Sequence, residues 1–171
     1  FRTESDTEVV LRGYMQWGSY CLQMFNGMFA FVIYDRFRKE IFMARDRVGI
    51  KPLYYTFQNN WIIFGSDIKT VIASGLYRPE VNWEGLWHNY SFMNAPRPMT
   101  SFKDVFALRP GHFMRIDLST FKITKEKYWG ILTYSQDHKM SENEAVDLLE
   151  EQLTRSVQYR LTADVEVGTV V

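Results

Sequence analysis

The sequence predicts an α+β protein in which antiparallel sheets, laid down as hairpins, are framed by short capped helices, and in which a helix and a strand of a further α/β unit begin near residue 141. Three observations carry this. Two apolar runs rich in Phe, Val and Ile, residues 28–34 and 40–44, flank the polar turn 36–39, the pattern of a β-hairpin. A second pair, residues 53–57 and 61–65, closes across Gln58, Asn59 and Asn60, which are turn residues. Hydroxyl and carboxylate residues three apart, Ser5 with Glu8 and Ser141 with Glu144, mark the starts of two helices as capping boxes.

Taken in order, residues 6–17 read as a helix that stops at Gly18, with Asp6 favoured in its first turn by the helix dipole. Cys21 belongs to a short helix leading into the first hairpin and reads as a small core residue. The run 28–34 is apolar at nearly every position, which predicts a central strand covered on both faces. Arg45 and Asp46 interrupt the next strand ahead of Gly49 and Pro52. Glycine can take a positive φ there, and proline fixes its own φ and bars helix at Lys51, so the segment is a shaped loop. An Arg beside an Asp in such a loop reads as structural, the guanidinium fork holding carbonyls or a carboxylate.

Ser66 is placed to cap a helix over 67–74 that Gly75 closes. Asn82 opens another helix reaching about Tyr90, and the Ala95-Pro96-Arg97-Pro98 stretch is a rigid connector. Residues 102–108 and 112–118 read as strands around the turn Arg109-Pro110-Gly111, and 122–129 pairs back after Ser119 and Thr120. Residues 1–130 therefore form one unit, 131–140 a linker, and 141–171 the start of another. In that second unit Leu148, Leu149, Leu153 and Val157 share one face of a helix running to about Leu161, and 164–171 is a β-rich run.

Composition narrows the function classes. With 171 residues, 46% of them apolar, the chain can bury one good core or a core plus part of a second. Twenty basic and twenty acidic residues cancel, so there is no overall field to draw nucleic acid or an anionic membrane. A single Cys is compatible with a cytoplasmic location, and no apolar run has the length of a membrane span. His88, His112 and His138 are scattered without metal-ligand spacing, and no metal site is expected. The first residue is Phe and the chain closes on Val-Gly-Thr-Val-Val, features expected of a piece of a longer protein.

Three segments in order, Asn26-Gly-Met-Phe-Ala-Phe, then Ala44-Arg-Asp-Arg-Val-Gly-Ile-Lys-Pro-Leu-Tyr-Tyr, then Phe64-Gly-Ser-Asp-Ile-Lys, resemble the glutaminase domain of class II glutamine amidotransferases, above all glutamine-hydrolysing asparagine synthetases. The resemblance implies a four-layer αββα sandwich of antiparallel sheets, the N-terminal nucleophile hydrolase type, incomplete here. It also implies that Asp6, in the family's Ser-Asp-x-Glu element, binds the α-amino group of substrate glutamine. The family's nucleophile is a Cys at the first position of the mature chain, its own amine serving as base, so no catalytic residue is expected among these 171. Family members usually carry Glu at the position of Asp67.

By the same resemblance, the strand ending at Val171 runs into a phosphate-cradling loop, and Val171 matches a position that packs on ATP. The parent enzyme would convert aspartate, glutamine and ATP, with Mg, to asparagine, glutamate, AMP and diphosphate, and could be a homodimer. The chain alone is expected to be inactive. A relative acting on a sugar-acid or peptide carboxylate, and a scaffold domain without its nucleophile, are the competing readings.

Overall fold

The computed structural model describes residues 1–131, 140–161 and 166–168. The chain divides into two compact units, Phe1–Thr133 and Tyr134–Val171. The first begins with α1 (Asp6–Trp17), a 3-10 turn (Gly18–Tyr20) and α2 (Cys21–Met24). Strands β1 (Ala30–Asp35), β2 (Glu40–Arg45), β3 (Tyr54–Gln58) and β4 (Trp61–Gly65) follow, then α3 (Ile68–Ala73) and α4 (Trp83–Phe92), then β5 (Phe106–Ala107), β6 (His112–Asp117) and β7 (Ile123–Lys127). All strand pairs are antiparallel and make two sheets, ordered β1-β2-β6-β7 and β4-β3-β5.

Side-chain alternation along β2 decides how these parts stack. Phe42 and Ala44 turn to one face and pack with Tyr14, Cys21 and Leu22 from the N-terminal helices. Met43 turns to the other and meets Met114 and Ile116 of its own sheet and Leu53, Tyr55 and Leu108 from around the second sheet. The far side of that second sheet, through Tyr54 and Ile63, packs against Val71 of α3, Tyr77 and Val105. The packing order is helices, four-stranded sheet, three-stranded sheet, helix. Fully buried Phe42, Met43 and Met114 each contribute roughly 1.5–3 kcal/mol to that stack.

Several expectations are corrected. The run 28–34 becomes β1 only from Ala30, and β1 lies at the edge of its sheet rather than the centre. Its apolar character is accounted for, because Phe31 and Ile33 pack on the helix side and Ala30 and Val32 on the inter-sheet side. Coverage of the two faces leaves a mark in the sequence; a missing neighbour in the hydrogen-bonding direction does not. Ser5 caps α1 by accepting from the amide of Thr7, but Glu8 reaches past Ser5 to the amides of Arg2 and Thr3, at 2.8 Å each, so no capping box forms. Asp67, not Ser66, caps α3, accepting from the amide of Lys69 at 3.0 Å.

The strand expected over 102–108 shrinks to β5, because Asp104 takes a positive φ of 57° and Phe102 makes only an isolated bridge to Val81. Strand β7 stops at Lys127, since the amides of Tyr128 and Trp129 both turn to the carbonyl of Gly111. In the second unit, α5 (Glu142–Arg160) carries the expected capping box: Ser141 N–H donates to Glu144 Oε2 at 2.8 Å and Glu144 N–H to Ser141 Oγ at 3.4 Å. Its Leu148, Leu149, Leu153 and Val157 are exposed. Of the β-rich run 164–171, residues 166–168 have no regular structure and the rest lies outside the described residues.

Candidate functional site

The loop after β2 is the best-tied piece of irregular backbone in the first unit. Arg45 and Asp46 are 4% and 1% exposed, so every polar atom they carry needs a partner. The guanidinium supplies three 2.7 Å bonds: Nε donates to the carbonyl of Lys51, Nη1 to that of Leu108 and Nη2 to that of Gly49. Burial pushes the Arg45 pKa down, and the charge of Arg97 adds to the effect. The Asp46 carboxylate accepts the amides of Gly49 (2.7 Å), Ile50 (3.0 Å) and Lys51 (2.9 Å).

Backbone bonds extend the same knot outwards. The Asp46 amide donates to the carbonyl of Phe29 at 2.8 Å, and its carbonyl accepts from Gly111 at 2.9 Å. Tyr128 donates its hydroxyl to the carbonyl of Arg45 at 2.9 Å. Burial pushes the Tyr128 phenol well above its ordinary range, with the Asp46 charge adding, so it stays a neutral donor at physiological pH. Gly49 is required twice over: its φ is +75°, and a Cβ there would lie 2.7 Å from Cγ of Pro110. The Arg-Asp pair is thus the internal scaffold of the loop.

What the scaffold holds in place is the pair Lys51 and Pro52, which form one wall of a cavity of about 310 Å³. The start of α1 contributes Asp6, Thr7 and Val10 to the same cavity. Residues 28–31, at the entry to β1, give an apolar back, and Ser66 closes the rim. Among the described residues neither the Asp6 carboxylate nor the Lys51 ammonium has a hydrogen-bonding or ion-pairing partner. A carboxylate, an ammonium, a hydroxyl and an apolar back within one small cavity can take a zwitterion with a short side chain.

Of the residues singled out from sequence, the structure brings Asp6 and Pro52 to the cavity and puts Arg45, Asp46 and Gly49 beneath it. Val171 and His138 lie outside the described residues. Lys51, Thr7 and Ser66 were not singled out for the cavity; the one available signal was that Lys51 and Ser66 sit within the matched segments. Cys21 is fully buried, and burial raises its thiol to about 11, which keeps it protonated and inert. His112 donates through Nδ1 to the carbonyl of Pro110 at 2.7 Å, and His88 packs on the rings of Trp87 and Phe92. Among the described residues no three His, Cys, Asp or Glu side chains form a group that could hold a metal.

Two packed antiparallel sheets flanked by helices, with a cavity lined by Asp6, Lys51 and Ser66, make the first unit an α+β sandwich domain. The chain belongs to the glutamine amidotransferase domain family, whose model matches residues 1–129. It is 33% identical over 170 residues to a glutamine-hydrolysing asparagine synthetase of Bacillus subtilis, covering 99% of this chain and 27% of that protein. It is also similar to two fungal amidases: chry2 of Gibberella zeae, 34% identical over 98% of this chain and 25% of that protein, and chyE of Penicillium rubens, 36% over 96% and 24%. The chain spans about a quarter of the length of these relatives.

Proposed function

We propose that this chain supplies the glutamine-recognition wall of a glutamine-dependent amide-forming ligase, and that Asp6 binds the α-amino group of glutamine. The observation that carries the reading is that Asp6, whose carboxylate has no partner among the described residues, lines an amino-acid-sized cavity together with apolar residues 28–31 and with Lys51, which would meet the substrate carboxylate. By resemblance to the glutamine amidotransferases, the domain is part of an αββα sandwich of the N-terminal nucleophile hydrolase type, whose attacking group in this family is a Cys at the first position of the mature protein.

Within the parent protein, residues 141–171 open an ATP-dependent synthetase domain, and the family resemblance assigns the position of Val171 to the nucleotide site. ATP and Mg enter the reading with that domain, and aspartate is the acceptor. Activating a carboxylate with ATP supplies the leaving group that ammonia displaces. The parent reads as a cytoplasmic ligase of asparagine biosynthesis. A second reading keeps the glutaminase step and changes the acceptor to another carboxylate, such as a sugar acid or peptide; it is kept because relatives of this chain include proteins not named asparagine synthetases.

The test is Asp6→Asn in the full-length protein. Loss of one charge-assisted contact of about 1.5–3 kcal/mol raises KM for glutamine roughly 10- to 100-fold, while synthesis with free ammonium is unchanged. A glutamine KM within twofold of wild type overturns the assignment. Product analysis with aspartate as sole acceptor separates the two readings.

A further inference from the structure

A second cavity, sharing no lining residue with the first, opens where the two sheets part near β5, β6 and β7. Its volume is about 350 Å³, within the range of small-molecule sites. Its floor is apolar and aromatic: Tyr55, Ala107 and Leu108 are each no more than 2% exposed. Its rim carries Arg109, His112 and Lys125, with no carboxylate among the lining residues.

The strand register explains how cations come to face this gap. Lys125 stands opposite Met114, whose side chain belongs to the core between the sheets, so Lys125 projects toward the second sheet; His112, two residues from Met114, shares that face. The adjacent Glu126 points to the other face, where it pairs with Arg115 at 3.5 Å. The Lys125 ammonium lies 5.2 Å from the centre of the Tyr55 ring, its stem lying along the apolar wall. Neither it nor the Arg109 guanidinium meets a carboxylate among the described residues. His112 anchors Nδ1–H on the Pro110 carbonyl at 2.7 Å, which fixes the ring in the rim with Nε2 as an acceptor.

We propose that this cavity is a binding site for a small organic anion, a carboxylate or phosphate carried on a flat apolar body that lies over Tyr55 while its head group meets Lys125 and Arg109. An inward lysine on an edge strand such as β7 also discourages unwanted strand pairing. That role requires neither the second cation on the 109–111 turn nor a roomy aromatic floor beneath it.

The test is calorimetric titration of the intact protein that carries this chain with phenyl phosphate and with benzoate; inorganic phosphate and phenol serve as the head group and the ring alone. At least one of the two composite probes binds with a Kd below about 1 mM, and each half alone binds about tenfold more weakly. The tighter composite names the head group. Lys125→Met and Arg109→Gln, both at exposed positions, each weaken binding about tenfold, whereas Asp6→Asn leaves it unchanged. Absence of binding by both composite probes, inorganic phosphate binding as tightly as phenyl phosphate, or affinities unmoved by both rim substitutions overturns the proposal. Since Asp6→Asn is read separately, failure here is distinguishable from failure of the glutamine assignment.

Discussion

Replacing Arg45 by Met should be the most damaging single change of side-chain chemistry in the first unit. The substitution keeps a long apolar stem but removes a cation that donates three 2.7 Å bonds, to the carbonyls of Lys51, Leu108 and Gly49. Two of those carbonyls lie within the loop and the third is on the residue after β5, so no local rearrangement can pair them all. Bonds from a charged donor contribute roughly 1.5–3 kcal/mol each, and a buried acceptor left unpaired costs about 1–3 kcal/mol. Allowing for water reaching some of the three, and for the desolvation penalty that Arg45 itself no longer incurs, the net loss is about 3–5 kcal/mol. Lys at this position keeps the charge, yet its single nitrogen cannot span three divergent carbonyls, so Arg45→Lys should still lose about 2–3 kcal/mol. The assay is urea unfolding followed by tryptophan fluorescence. With a slope of roughly 1.5–2 kcal/mol per molar urea for a unit of this size, the Lys variant's midpoint should fall by about 1–2 M. A Lys variant within about 0.5 kcal/mol of wild type would show that the guanidinium fork does not hold the loop, and the argument that it positions Lys51 would fail with it.

Gly85→Ala should destabilise α4 and its contact with residue 100 by about 2–3 kcal/mol, because the new methyl would sit 2.1 Å from the Thr100 carbonyl oxygen, a backbone atom that cannot step aside; a thermal melt unchanged within error would refute this. Burial, with the charges of Glu40 and Asp35 adding, raises the Tyr14 phenol from 10.0 to about 12. The folded state therefore holds that proton more tightly, and its contribution is present below about pH 10 and lost as pH climbs through 12, while Tyr14→Phe should flatten the alkaline fall in urea midpoint. Ser141→Ala removes the hydroxyl that accepts from Glu144 N–H and should cost α5 about 1 kcal/mol, read as lower helicity by circular dichroism near neutral pH.

The hairpins, the helix over 6–17 and the box at 141–144 could all be taken from the sequence because their causes are local. Two-residue alternation, a proline, a glycine that must take positive φ, or a serine three residues before a glutamate acts over one turn of chain. The role of Arg45 was readable for the same reason: an Arg-Asp pair ahead of Gly49 and Pro52 has few ways to satisfy itself when buried. The misplacements share a different cause. Ser66 and Asp67 are both competent caps, and only the packing of α3 on the second sheet chose between them. Strand β1 was assigned to the middle of a sheet because apolar residues on both faces look the same whether or not a neighbour lies alongside.

The sequence by itself determined most of the elements and the shaped loop, since each follows from short-range sterics and patterning, while the layered two-sheet class came from the family resemblance. Only the tertiary structure decided that Asp6, Lys51 and Ser66, separated by up to sixty residues, line one cavity, and that Lys125 faces the gap between the sheets. Those placements depend on strand register and on which faces meet, and both are set by contacts between segments far apart in the chain.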